Sequence, residues 1–238
     1  MPLSGRQEGD DVDSPTPTPH PSDSRIPPMI LIPGSSSKYA KKAIVKLIKM
    51  AQVEFDLPRK HVNVMCNEFE VFHPYYCPNK VARFGLGTKI CISKNEYGVY
   101  KYERGDGPIP RTYVKEACIY LHLRELQGTK IPELLSYGSA DCLGYPGFFL
   151  ITRYHGDPLK PEEVSPSEFG ELLSEIHEHG ILISSPDSIF AGFPTLVRYG
   201  STLMFGEIPT AACFNKDAQR FEEEFDFFVG LCKKEDEG

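Results

Sequence analysis

The apolar residues change their spacing several times along the chain, and this switching of period narrows the open architectures more than any other feature. From Ser36 to Phe55, SSKYAKKAIVKLIKMAQVEF sets Ala40, Ala43, Ile44, Leu47, Ile48 and Ala51 on one stripe and predicts an amphipathic helix. Between residues 61 and 102 the runs shorten. EVFHPYY, TKICISKNE and YGVYKYE, separated by PNKVARFGLG and a turn at Asn95-Glu96, predict a small antiparallel sheet. The helical period returns in TYVKEACIYLHLREL, where Val114, Ala117, Cys118, Leu121 and Leu126 recur, Gly128 is a stop and Pro132 bars continuation. IPELLSYGS and GFFLITRY predict two short strands around a turn at 138–147. PSEFGELLSEIHEHG predicts a second amphipathic helix, with Phe169, Leu172, Leu173 and Ile176 inward and Gly180 as its stop. DAQRFEEEFDFFVGLCKK predicts a last helix, with Phe221, Phe225, Phe228 and Leu231 on one stripe. The order is sheet, helix, two strands, helix, short β segments, helix: an α+β chain without internal repeats.

Residues 1 to about 28, centred on SPTPTPHPSDS, carry only Leu3 and Ile26 as large aliphatic residues and cannot bury enough surface to order themselves. The expected organisation is a disordered Pro/Ser/Thr-rich tail over 1–35, a basic amphipathic helix over 36–60, a sheet-plus-helix unit over 61–155, a smaller unit over 156–232 and a charged tail over 233–238. Ser14, Thr16 and Thr18 each precede proline, the pattern that proline-directed kinases read; an inert tail is the commoner alternative. The helix bearing Lys41, Lys42, Lys46 and Lys49 is of the kind that docks on anionic membranes or in a partner's groove; more often such a helix covers its own domain and leaves its lysines solvated.

Lys and Arg total 26 against 33 Asp and Glu, a net charge of −7, which argues against a nucleic-acid coat. Neither a run of eighteen apolar residues nor a secretory-type start is present, so the expectation is a soluble intracellular protein, cytoplasmic or nuclear. The seven cysteines, at 66, 77, 91, 118, 142, 213 and 232, include no C-x-x-C pair, so neither a disulfide framework nor a structural metal is expected. His61, Cys66, His73 and Cys77 have irregular spacing for zinc, and free thiols with ordinary histidines are the favoured reading.

Chemistry concentrates around one lysine. The Gly85-Leu86-Gly87-Thr88 turn precedes a strand, and glycines in such a turn let backbone N–H groups approach phosphates. Lys101 follows Gly85 by sixteen residues in the strand sequence VYKYE, and Glu116 follows Lys101 by fifteen in the first turns of the next helix. Together with KEACIYLHLRELQGTKIPELLSYG, GFFLITRYHGDPL and LLSEIHEHGIL, this order resembles the protein-kinase superfamily, specifically the small kinase-like proteins of fungi and the aminoglycoside-phosphotransferase-related kinases. The resemblance runs from about Val81 to Phe205 and rests on order and spacing.

It implies a two-lobe kinase-like fold with a reduced C-lobe and places ATP at named residues. Lys101 becomes the phosphate-positioning lysine and Glu116 its salt-bridge partner. Val99 packs above the base, Thr152 is the gatekeeper, and Arg153, Tyr154 and His155 form the hinge. Gly85, Gly87 and Thr88 cover the phosphates, with Ile90 where a third glycine is common.

The lower half departs from the pattern. After the I-H-x-x-G motif, the catalytic-base position falls on Ser185, the metal-binding asparagine on Ser188, and Met204 stands before Phe205 and Gly206 in place of the metal-binding aspartate. A serine does not take up a proton near neutral pH without a base of its own, and a thioether is a poor ligand for a hard cation. Asp187 is the nearest substitute carboxylate. The expectation is therefore a pseudokinase that serves as a nucleotide-binding or regulatory and scaffold module, taking ATP weakly or without magnesium and engaging a protein partner. The alternatives are an active protein or small-molecule kinase using Asp187 or Glu207, and a ligand-free scaffold recruiting partners through the basic helix 36–55 and the acidic helix 218–232.

Overall fold

The computed structural model describes residues 31–33, 38–74, 82–84, 88–94, 98–104, 111–142, 145–184 and 193–232. Two helices open it, α1 (Lys38–Glu54) and α2 (Arg59–Glu68). A seven-stranded sheet contains β1 (Leu31–Pro33), β2 (Glu70–Pro74), β3 (Ala82–Phe84), β4 (Thr88–Lys94), β5 (Gly98–Arg104), β6 (Leu134–Cys142) and β7 (Tyr145–Arg153) in the spatial order β1-β2-β6-β7-β5-β4-β3. Between β5 and β6 the chain forms α3 (Thr112–His122). After β7 come α4 (Pro166–Glu178), β8 (Ile181–Leu182), the antiparallel pair β9 (Leu196–Tyr199) and β10 (Thr202–Phe205), then β11 (Cys213–Phe214) against β8, and α5 (Ala218–Cys232). The fold is mixed α and β; from β3 onward its elements follow the order the periodicity predicts.

Four expectations need correction. The chain is helical from Arg59 to Glu68, where a sheet region was expected: Pro58, with φ fixed at −57°, sits just before the first turn, and Val62 and Met65 bury one face of it. The expected helix over 36–60 therefore ends at Glu54. The sheet is neither small nor wholly antiparallel, because β2 runs parallel to β6 with Glu70 opposite Gly138. Residues 31–33, expected in the tail, form an edge strand on β2 with Ile32 opposite His73, paired along one side.

The helices bury the faces expected of them, with informative exceptions. Ile44, Ile48 and Ala51 of α1 are buried while Ala43 is exposed. Every residue of α3 from Tyr113 to Tyr120 is buried, so this helix is central and not amphipathic: it packs on β5, β6 and β7 and is covered by α1, α2 and β11. Phe169, Leu172, Leu173 and Ile176 of α4 are all buried. One apolar cluster joins α1, α3, α4 and Phe228 of α5.

A directional histidine chain crosses three of these helices. His122 Nε2 donates to the His179 carbonyl at 2.8 Å, leaving Nδ1 to accept from His61 Nε2 at 3.1 Å. His61 is 9% exposed, and burial, with Lys60 and His122 adding to it, lowers its pKa to about 4.

Candidate functional site

Strand register assembles the site. In the antiparallel ladder of β5 and β7, Val99 lies opposite Thr152 and Lys101 opposite Leu150, so Val99, Lys101 and Thr152 share one face. That face looks toward α3, which brings Glu116 under the strand. Lys101 Nζ donates to Glu116 Oε1 at 2.8 Å, and the two side chains are 2% and 1% exposed. A second carboxylate reaches the same ammonium: Glu207 Oε2 lies 2.8 Å from Nζ and is 37% exposed. The Tyr113 ring sits 5.8 Å from Nζ. Burial alone would depress the lysine, but Glu116 and Glu207 together hold it above its ordinary pKa. Burial pushes the Glu116 carboxyl upward, with Lys101 pulling it back. Glu116 Oε2 has no hydrogen-bond partner among the described residues.

Glu207 is delivered by a pinned segment. Phe205 N–H donates to the Lys130 carbonyl at 2.9 Å, Gly206 N–H to the Thr195 carbonyl at 2.8 Å, and Ile208 N–H to the Tyr120 hydroxyl at 3.3 Å. At Gly206 a Cβ would come within 2.9 Å of both Thr195 and Val197, so only glycine lets the chain pass this close beneath the β9–β10 pair. Met204 is fully buried opposite Val197, its thioether packed in the core.

The segment after β7 leaves the sheet beside Glu133. Arg153 N–H donates to the Glu133 carbonyl at 2.9 Å and its guanidinium pairs with the Glu133 carboxylate. Tyr154 donates its hydroxyl proton to Asp157 at 2.6 Å. The His155 side chain is 3% exposed, edge-on to Tyr199 at 4.9 Å, and burial lowers its pKa. Thr152 is buried behind this segment. The backbone of Thr88 opens β4 opposite Phe84. Gly85, Gly87, Ser185, Asp187 and Ser188 lie outside the described residues. The structure thus brings Val99, Lys101, Glu116 and Thr152 to one place, adds Glu207, and leaves Arg153, Tyr154 and His155 on the adjoining segment.

One buried carboxylate has no place in the sequence expectations. Glu224 of α5 is 3% exposed and accepts from His177 Nε2 at 2.7 Å, from Ile183 N–H at 3.1 Å, from Ser184 N–H at 2.7 Å and from the Ser184 hydroxyl. A single carboxylate ties α4 to the backbone of Ile183 and Ser184, just past β8. Its signal was a charge on an apolar stripe, three residues after Phe221 and four before Phe228.

No group of three or more potential metal ligands is found among the described residues, and no helix there is long and apolar enough to cross a membrane. No protein-family model matches the chain, and no curated protein matches it.

Proposed function

We propose that the chain is a protein-kinase-like nucleotide-binding protein of two lobes, deficient in phosphoryl transfer and serving as a regulatory or scaffold module. The observation that carries this reading is the buried 2.8 Å pair of Lys101 and Glu116. The lysine lies on the third strand of the antiparallel run β3, β4, β5, and the glutamate on the helix that follows; kinases use this lysine–glutamate pair to orient nucleotide phosphates. The protein's own residues fit a nucleotide in part: a fixed cation, an apolar Val99 on the same face, and the segment by which the chain leaves β7 after Arg153. Met204, sealed in the core, offers no oxygen to a magnesium ion, which supports the loss of catalysis.

Glu207 favours a second reading. A carboxylate beside Lys101 is the group a displaced metal-binding or proton-accepting role requires, and an active ATP-dependent kinase would use it together with Asp187. A phosphotransfer assay with labelled ATP, Mg²⁺ and generic protein and small-molecule acceptors separates the two. The pseudokinase reading expects nucleotide binding without turnover. Turnover that disappears in Lys101→Met and in Glu207→Gln establishes the active enzyme instead.

A further inference from the structure

Lys101 has three ammonium protons, and two of them face carboxylates at 2.8 Å. Counted by formal charge, the triad of Lys101, Glu116 and Glu207 sums to −1, in a place where the lysine and Glu116 are almost wholly buried. The two carboxylates are not equivalent. Glu116 is rooted in the second turn of a helix buried on all sides and has no room to leave. The Glu207 side chain is 37% exposed, and apart from Lys101 its carboxylate meets only the Thr195 hydroxyl at 3.3 Å among the described residues, although the backbone before it is pinned.

We propose that Glu207 is a carboxylate gate on Lys101: an anionic ligand reaches the lysine only when Glu207 swings toward solvent or a divalent cation brought with the ligand neutralises it. The inference rests on the nucleotide-binding reading and deepens it, because it specifies the charge state of the ligand the site accepts. A polyphosphate without a cation meets repulsion from Glu207 at close range in a partly desolvated site, where Coulomb energies are several-fold larger than in water. An uncharged nucleoside does not.

The test is titration calorimetry of the full chain and of Glu207→Gln, an isosteric change at a partly exposed side chain, with adenosine, with ATP in EDTA and with ATP in Mg²⁺. Removing the charge is expected to tighten ATP binding in EDTA by about tenfold or more. It should leave adenosine unchanged, and Mg²⁺ should narrow the gap between the two proteins. If ATP in EDTA binds the unmodified chain as tightly as it binds Glu207→Gln, or if the substitution weakens it, the gate is wrong while nucleotide binding stands. If neither adenosine nor ATP binds either protein under any condition, the gate and the nucleotide reading fall together.

Discussion

Replacing Glu224 with alanine is the sharpest structural test, because one side chain holds four donors, one from α4 and three from the segment just past β8. The substitution strands two backbone N–H groups, a serine hydroxyl and an imidazole in a region where the carboxylate itself is 3% exposed. Hydrogen bonds to charged groups contribute roughly 1.5–3 kcal/mol each, but four sharing one carboxylate do not add. Losing one partner of a buried charged network costs about 3–5 kcal/mol, which puts Glu224→Ala at about 4 kcal/mol. For a chain of 238 residues that corresponds to a fall in Tm of about 8–16 °C. Glu224→Gln keeps one acceptor oxygen but turns an NH₂ toward existing donors, and should cost about half as much. Urea unfolding gives the energies; hydrogen exchange gives the location, since the amides of Ile183 and Ser184 should lose protection before the rest of the core. A cost below about 1 kcal/mol for Glu224→Ala, or unchanged exchange at those two amides, would refute the clamp.

Other perturbations follow from the same contacts. Lys101→Met leaves Glu116 buried without a counter-ion and should destabilise by about 3–5 kcal/mol, whereas Lys101→Met with Glu116→Leu should recover most of that in urea unfolding. The His61 pKa of about 4, against 6.5 for an unperturbed histidine, means the unfolded state binds the extra proton across that interval. Stability should be full above pH 6.5 and decline as the pH falls to about 4, by about 1–2 kcal/mol after solvent screening. Chemical denaturation of His61→Gln should show a flatter pH profile over the same range. At Gly138, where a Cβ would meet the Glu70 carbonyl oxygen at 2.0 Å, Gly138→Ala should prise β2 from β6 and cost about 1–3 kcal/mol or more, read as lost amide protection along β2.

The sequence made legible what periodicity and spacing encode locally. Phe169, Leu172, Leu173 and Ile176 share a face because one helix sets that spacing, and the positive φ values at Gly128 and Gly180 stand where the helical patterns break. The Lys101–Glu116 pair was legible for a different reason: the order and spacing of the motifs around it singled out this lysine and the glutamate fifteen residues on, and the two side chains meet at 2.8 Å. What long-range packing decides was not legible. The helical period of residues 59–68 lasts only ten residues and hid inside a β-rich stretch, and the parallel pairing of β2 with β6 joins segments sixty-eight residues apart, Glu70 with Gly138. Glu224 broke the apolar pattern of its helix, but its partners His177, Ile183 and Ser184 are about forty residues away, and no local rule brings them together. Glu207 could be named as a spare carboxylate; its 2.8 Å contact with Lys101 depends on how the Gly206 turn passes beneath β9 and β10.

The proposed role of Lys101 as the anchor of a nucleotide site is tested most directly by the thermal melt of the purified chain with and without ATP in Mg²⁺, beside Lys101→Met. ATP at a hundred times its dissociation constant should stabilise the unmodified protein by about 2.7 kcal/mol, a rise of about 5–10 °C for a chain of this size, and should leave the Lys101→Met melt where it lies without ligand. No rise at millimolar ATP, or an equal rise in both proteins, would contradict it.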